Sequence, residues 1–207
     1  PAATAHGVQV VYTPGANTES VCEHVVAMMI GLSKHFPKMM NELVAGNYHA
    51  RTSMRGREIA GKKLGIVGFG RIGRRLAEIA HLGFGMRVVY HDVVPAPEDV
   101  EHRTSARRVP FDELLETADY ISMHVPLDQT TRKMMNRNAL ARVQQGCILI
   151  NTSRGPVVEE EAVADALDSG LLWGSGGDVF EVDPPPPDHP LIGRPDVMLT
   201  PHSAAQT

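Results

Sequence analysis

The chain has 207 residues, 43% of them hydrophobic and 21% charged, with a formal net charge of -4 and a pI near 6.2. That length suits one large globular domain or one and a half small ones, and the composition is ordinary for a packed core. The mildly acidic balance gives no electrostatic case for nucleic acid or an anionic membrane, and the cluster Arg103, Arg107 and Arg108 reads as a solvated loop.

From the N-terminus, Val8–Tyr12 reads as a short strand, and Thr13–Asn17 is turn chemistry. A long helix is expected from a cap near Asn17 or Thr18, because Val21, Val25, Met28, Met29, Leu32 and Phe36 recur at helical spacing. Cys22, Val26, Ala27 and Ile30 make it apolar around most of its circumference. Such a helix is buried in its own domain or against another subunit, and a subunit contact is the preferred expectation, making the Asn17–Val44 segment the seam of a homodimer. Pro37 bends or ends the helix, and a second piece reaches Val44. Val21–Leu32 is too short to cross a bilayer and contains Glu23 and His24. No signal-peptide pattern precedes it. The two cysteines, Cys22 and Cys147, sit in apolar runs far apart, as reduced core thiols of a cytoplasmic protein would, and no His/Cys spacing calls for a metal.

Residues 46–61 form a polar connector. The stretch that organises the rest follows: Lys63-Leu-Gly-Ile-Val-Gly-Phe-Gly-Arg-Ile-Gly73. A strand-like run to Val67 turns at Gly68-Phe-Gly70 and continues as a helix from Arg71, Ile72 and Gly73. In the dinucleotide fingerprint the first glycine makes the turn, the second admits the pyrophosphate and the third packs helix on strand; the free N–H groups of the helix start face the phosphates. The next apolar run, Met86–Tyr90, leads to Asp92, 19 residues past Gly73, where an acid for the ribose hydroxyls is expected. Pro95–Val109 reads as loop, Phe111–Glu116 as a short helix, Tyr120–Val125 as a strand stopped by Pro126, and Asn136–Val143 as a short helix. Cys147–Ile150 is a buried strand ending in the loop Asn151–Pro156, Glu159–Leu167 an amphipathic helix, Gly174–Phe180 a glycine-weakened strand and Val197–Thr200 the last strand.

Alternating strands and helices predict an α/β fold, a doubly wound parallel sheet of Rossmann type carrying an N-terminal long helix. Ligands bind such sheets beyond the carboxyl ends of the strands, so the residues to inspect are Gly68–Ile72, Asp92, His124–Pro126, Thr152–Arg154, Asp178 and His202. Dinucleotide binding makes hydride transfer the default chemistry, and an alcohol substrate then needs a base. Of ten histidines, His124 and His202 alone follow strand ends directly. His202 is the candidate base; His124 is the better candidate for lining the cofactor. Arg154 can grip a carboxylate and polarise a carbonyl oxygen, the plainer alternative being an ion pair with Glu159–Glu161. Asp178, Glu181 and Asp183 are all candidates for the carboxylate that orients a base histidine.

These residues carry a family resemblance. Gly68-Phe-Gly-Arg-Ile-Gly73, His124-Val-Pro126, Asn151-Thr-Ser-Arg-Gly155, Asp178-Val-Phe180 with Asp183-Pro184, and Pro201-His-Ser-Ala204 together resemble the D-isomer-specific 2-hydroxyacid dehydrogenases, a group including glyoxylate/hydroxypyruvate reductases and phosphoglycerate dehydrogenases. The resemblance covers nearly the whole chain. It implies a catalytic Arg-Glu-His set falling on Arg154, Asp183 and His202, with aspartate where the family usually has glutamate, one methylene longer. It implies backbone contacts to the pyrophosphate from Arg71 and Ile72, a ribose contact from Asp92, and a cofactor lining of Val125, Pro126, Thr131, Thr152, Ser153 and Ala204. Asp178 would meet the nicotinamide amide. Val93 and Val94 offer no partner to a 2′-phosphate, so NAD is expected over NADP. The family's substrate domain is built from both ends of a longer chain; residues 1–16 are read as a remnant of it, 17–61 as the long helix and connector, and 62–207 as the dinucleotide-binding domain. Three functions compete: an NAD-dependent 2-hydroxyacid dehydrogenase or 2-keto acid reductase, a non-catalytic NAD-responsive dimeric scaffold like the corepressors that resemble this family, and a bare cofactor-binding fragment.

Overall fold

A computed structural model of the chain describes residues 2–11 and 13–206. Seven strands, β1 (Lys63–Val67), β2 (Arg87–His91), β3 (Ala106–Arg108), β4 (Tyr120–Met123), β5 (Cys147–Asn151), β6 (Leu172–Gly177) and β7 (Val197–Leu199), form one sheet. Their order is β3-β2-β1-β4-β5-β6-β7, with every neighbour parallel. The helices are α1 (Ala2–Ala5), α2 (Thr18–Ser33), α3 (Phe36–Val44), α4 (Arg71–Phe84), α5 (Glu98–Thr104), α6 (Phe111–Thr117), α7 (Arg137–Leu140) and α8 (Glu160–Asp168).

Alternation along each strand divides the core in two. Leu64, Ile66, Val88, Tyr90, Tyr120, Ile148 and Ile150 pack with α2 and α4 on one face. Val67, Val89, Ile121, Met123, Cys147 and Leu149 pack with α6, α7 and α8 on the other. Strands covered on both faces need no polar alternation, which is why they read as continuous apolar runs. Cys22 and Cys147 are free and buried. Burial drives both thiols up to about 12, leaving them protonated and inert.

Three expectations change. First, Val8–Val11 is not a strand; Val8, Val10 and Val11 are exposed and pair with no sheet, and Tyr12 lies outside the described residues. β propensity alone forms no strand without a neighbour. Second, the supposed loop Pro95–Val109 contains α5 and the edge strand β3. α5 is short, with acids in its first turn and only Val100 and Thr104 buried, so it carries little periodic signal. Third, the apolar surface of α2 is spent inside the chain: Val21, Cys22, Val25, Met28, Met29 and Leu32 are buried in the core shared with β1, β2, β4 and β5. Each such side chain contributes about 1.5–3 kcal/mol by leaving water. α2 stops at Ser33, and Pro37 sits in the first turn of α3, where its missing N–H costs nothing. α3 buries none of its residues and exposes Phe36, Met40, Leu43 and Val44. Among the described residues no helix is long and apolar enough to cross a membrane.

Candidate active site

Strand register aligns the site. His91 stands opposite Val67, Val67 opposite Met123, Met123 opposite Asn151, Asn151 opposite Gly177, and Gly177 opposite Leu199. The residues one step beyond that line are Asp92, Gly68, His124, Thr152, Asp178 and Thr200. All six therefore emerge at the carboxyl edge of one sheet. Strand order reverses between β1 and β4, so Gly68 and His124 flank the switch point where doubly wound sheets take a nucleotide.

The glycine turn is built for close approach. Gly68 has φ +94°, and a Cβ there would lie 2.6 Å from the His124 carbonyl carbon. A Cβ on Gly73 would lie 2.4 Å from the Gly68 oxygen, so only glycine lets α4 start against β1. A Cβ on Gly70 would meet nothing within 4 Å, which leaves open space over the turn. Asp92 closes the turn from β2: its Oδ2 accepts from the Phe69 N–H at 2.6 Å and its Oδ1 from the Val94 N–H at 3.0 Å. Arg108, at the end of β3, donates to the Asp92 carbonyl at 2.8 Å and the Val93 carbonyl at 3.2 Å. This arginine beside Asp92 comes from a different strand, so the sequence around Asp92 gives no hint of it.

On the other side of the switch point, His124 Nε2 is 2.8 Å from Ser122 Oγ. Desolvation depresses its pKa to about 4, so the ring is neutral at pH 7 and suits a lining role. Thr131 ties down the loop after Val125: its hydroxyl donates to the Pro126 carbonyl at 2.6 Å and accepts from the Asp128 N–H at 2.9 Å.

Beyond β5, Asn151 clamps its own loop. Its Oδ1 accepts from the Ser153 N–H and hydroxyl at 3.1 and 2.8 Å, and its Nδ2 donates to the Arg154 carbonyl at 2.9 Å. Thr152 Oγ1 is buried without a hydrogen-bond partner among the described residues, an orphan that a bound group would satisfy. Arg154 is exposed, and its Nη1 donates to the Ser153 carbonyl at 2.6 Å. The plainer expectation, an ion pair with the start of α8, is not realised among the described residues. Glu160 instead accepts from the Glu181 N–H and from His189, both at 2.9 Å. Gly155 touches the same segment: a Cβ there would lie 1.8 Å from the Phe180 oxygen. The Arg154 loop is thereby packed against the backbone leading to Asp183.

Of the three carboxylates left open by the sequence, Asp183 meets the histidine: its Oδ2 lies 3.1 Å from His202 Nδ1. Glu181 pairs with Lys133 at 3.4 Å. Asp178 is buried, and both its oxygens serve the chain itself. Oδ1 accepts from the Thr200 hydroxyl at 2.6 Å and the Ser203 N–H at 2.8 Å; Oδ2 accepts from the Ala204 N–H at 2.9 Å. The sequence pointed to Asp178 as a ligand contact and missed this anchoring role, which depends on a turn 25 residues away.

Residues 26–204 match the family model described as D-isomer specific 2-hydroxyacid dehydrogenase, NAD binding domain. The chain belongs to that family. It is 39% identical over 206 residues to a glyoxylate reductase of Korarchaeum cryptofilum, covering 98% of this chain and 61% of that protein. It is 36% identical over 203 residues to a hydroxypyruvate reductase of Thermotoga maritima, covering 97% and 64%. The crystal structure of D-lactate dehydrogenase from Aquifex aeolicus, complexed with NAD and lactic acid, superimposes with a TM-score of 0.88 at 33% identity, covering all of this chain and 66% of that one. The chain thus spans about three-fifths of the length of these two reductases. The 2-hydroxyacid dehydrogenase family's NAD fits the residues present: a glycine turn open to a ligand, an acid at the end of β2 and an unpartnered buried hydroxyl at Thr152.

Proposed function

We propose that this chain is the cofactor-binding part of an NAD(H)-dependent oxidoreductase that interconverts a small 2-hydroxy acid and its 2-keto acid. The observation that carries the reading is the Asp183–His202 pair, on the same sheet edge as the glycine turn. When bound, the nicotinamide supplies the hydride acceptor or donor. The helix-start N–H groups of Arg71 and Ile72 hold the pyrophosphate, and Asp92 holds the adenosine ribose. Val125, Pro126, Thr131, Thr152, Ser153 and Ala204 line the bound dinucleotide. Asp178 keeps acceptor capacity on Oδ2 for the nicotinamide amide.

His202 takes the substrate hydroxyl proton on Nε2 as the 2-hydroxy acid is oxidised and returns it when a 2-keto acid is reduced. Asp183 holds Nδ1–H, which fixes the ring orientation and stabilises the imidazolium. Arg154 grips the substrate and polarises its C2 oxygen, drawing electron density from the carbon that accepts hydride.

Residues 1–16 are assigned to a substrate domain, 17–61 to the long helix and connector, and 62–207 to the dinucleotide-binding domain. The exposed α3 face of Phe36, Met40, Leu43 and Val44 supports a homodimer through the Asn17–Val44 segment. The two buried free thiols suit a cytoplasmic protein. A non-catalytic scaffold would account for the α3 face but has no use for the Asp183–His202 pair. In a protein that joins this chain to its substrate domain, glyoxylate or hydroxypyruvate should drive NADH oxidation, and His202→Ala should remove most of that rate. Unchanged turnover in the variant would eliminate His202 as the proton-transfer group. The isolated chain should bind NADH in a fluorescence titration without turning over a 2-keto acid.

A further inference from the structure

His24 is used neither by the cofactor contacts nor by the proton-transfer pair. It lies on α2 beside the buried Val21, Val25 and Met28, and is itself partly buried. Its Nε2 is 2.8 Å from Thr200 Oγ1 and 3.8 Å from Asp178 Oδ1. The direction of these hydrogen bonds follows from the partners. Both Asp178 oxygens accept backbone N–H groups, as a carboxylate does, so the Thr200 hydroxyl spends its one proton on Asp178. Thr200 therefore accepts from His24, and the hydrogen sits on His24 Nε2.

The loop held by this chain of bonds carries His202. The His202 N–H donates to the Thr200 carbonyl at 3.0 Å, and the residue adopts φ +53°, a left-handed conformation that a non-glycine residue keeps only when its surroundings impose it. On one side of His202 the loop is tied through Thr200, on the other through the Ser203 and Ala204 amides, and all of these ties meet at Asp178. His24 braces that meeting point from α2, a separate layer of the fold.

We propose that His24 is a positioning residue. By donating to Thr200 it fixes the hydroxyl and the carboxylate that hold Pro201–Ala204, and so sets His202 against Asp183. The role rests on the reading of His202 as the proton-transfer group.

The test uses His24→Phe, which fills the space without a donor, and His24→Gln, whose side-chain amide N–H can reach the place of Nε2. Hydrogen exchange of the Ser203 and Ala204 amides in this chain, without cofactor, reads the loop directly. His24→Phe should speed both at least tenfold, and His24→Gln should recover most of the protection. In the protein with its substrate domain, His24→Phe should lower kcat at least tenfold with little change in NADH affinity. Adding Thr200→Val should cost less in the His24→Phe background than in the parent, because the two residues are coupled through one hydrogen bond while the Thr200–Asp178 bond is lost in both cases. Should His24→Phe fail to fold, Thr200→Val alone must show the same amide exchange. Wild-type exchange rates in the variant that folds, or equal losses in His24→Phe and His24→Gln, would overturn the proposal while His202→Ala still abolished turnover. Full turnover in His202→Ala would instead overturn the role of His202 and leave the exchange result standing.

Discussion

Asp183 Oδ2 lies 3.1 Å from Nδ1 of His202, although the family usually has a glutamate at this position. The shorter carboxylate is within hydrogen-bond distance of the ring. His189 and the Glu181 N–H both bond Glu160 on α8, which pins the segment on either side of Asp183. Removing the charge should expose its contribution. Asp183→Asn is expected to lower kcat on the order of a hundredfold with a much smaller change in KM, since it acts on proton transfer rather than on binding. Steady-state kinetics of the protein with its substrate domain would decide this; an unchanged kcat would release Asp183 from the mechanism.

Arg154 stands outside every ion pair among the described residues, which leaves its guanidinium for an anion. Arg154→Gln should raise KM for a 2-keto acid and lower kcat, with a combined loss in kcat/KM of roughly a hundredfold or more, because a carboxylate grip and a polarising contact go together. Arg154→Lys keeps the charge but loses the planar fork, so it should recover only part of the rate. Full activity in the lysine variant would argue for simple charge steering.

Gly155 makes a sharper structural prediction. A methyl group there would lie 1.8 Å from the Phe180 oxygen, and backbone cannot yield as a side-chain end can. Gly155→Ala should destabilise the fold by about 3 kcal/mol or more, read as a lower urea midpoint at unchanged slope. Any molecule that stays folded should lose turnover as well, because Arg154 and the Asp183 segment are pushed apart. A midpoint within experimental error of the parent would show that the contact relaxes freely.

On the proposed ribose contact, cofactor choice would be made at the end of β2. Asp92 would set a carboxylate against a 2′-phosphate, and Arg108 already donates to the Asp92 and Val93 carbonyls. NADH should therefore bind at least about tenfold more tightly than NADPH, or ~1.4 kcal/mol. Asp92→Ala should weaken NADH and narrow that ratio, both measurable by fluorescence titration. Tighter NADPH binding by the parent would mean that Arg108 leaves its carbonyls to take the phosphate.

His124 predicts a pH dependence of stability. Its pKa falls from 6.5 unfolded to about 4 folded, owing to desolvation. The folded form therefore favours the neutral ring. Its contribution is fully present above pH 6.5 and is lost as pH falls toward 4, because the unfolded chain takes up the proton first. The loss from this one group should approach about 3 kcal/mol. Urea unfolding between pH 7 and 4 would measure it, and His124→Gln should flatten the slope over that interval.

Local chemistry made much of this molecule legible in the sequence. The turn from Gly68 to Gly73 is marked by its glycine spacing, with Gly68 at positive φ and Gly73 against the Gly68 oxygen, and strands buried on both faces announce themselves as unbroken apolar runs. Their alternation with helices was enough for the α/β class, and residues just past each run marked the carboxyl edge. α5 and β3 were not legible, since one is too short for a period and the other is an edge strand burying only Ala106. The surface that α2 covers was also beyond reach, because an apolar helix looks the same against its own sheet as against a partner.

The sequence by itself determined the α/β class, the glycine turn, the acid at Asp92 and the candidacy of Arg154 and His202, because each depends on spacing along the backbone. Only the tertiary structure decided that Asp183 reaches His202, that Asp178 anchors the His202 loop, that Gly155 joins the Arg154 and Asp183 segments, and that Arg108 stands beside Asp92. Those relationships join residues from different strands and loops. Their distances are set by how the layers pack, to within a few tenths of an ångström, and no spacing along the chain encodes that.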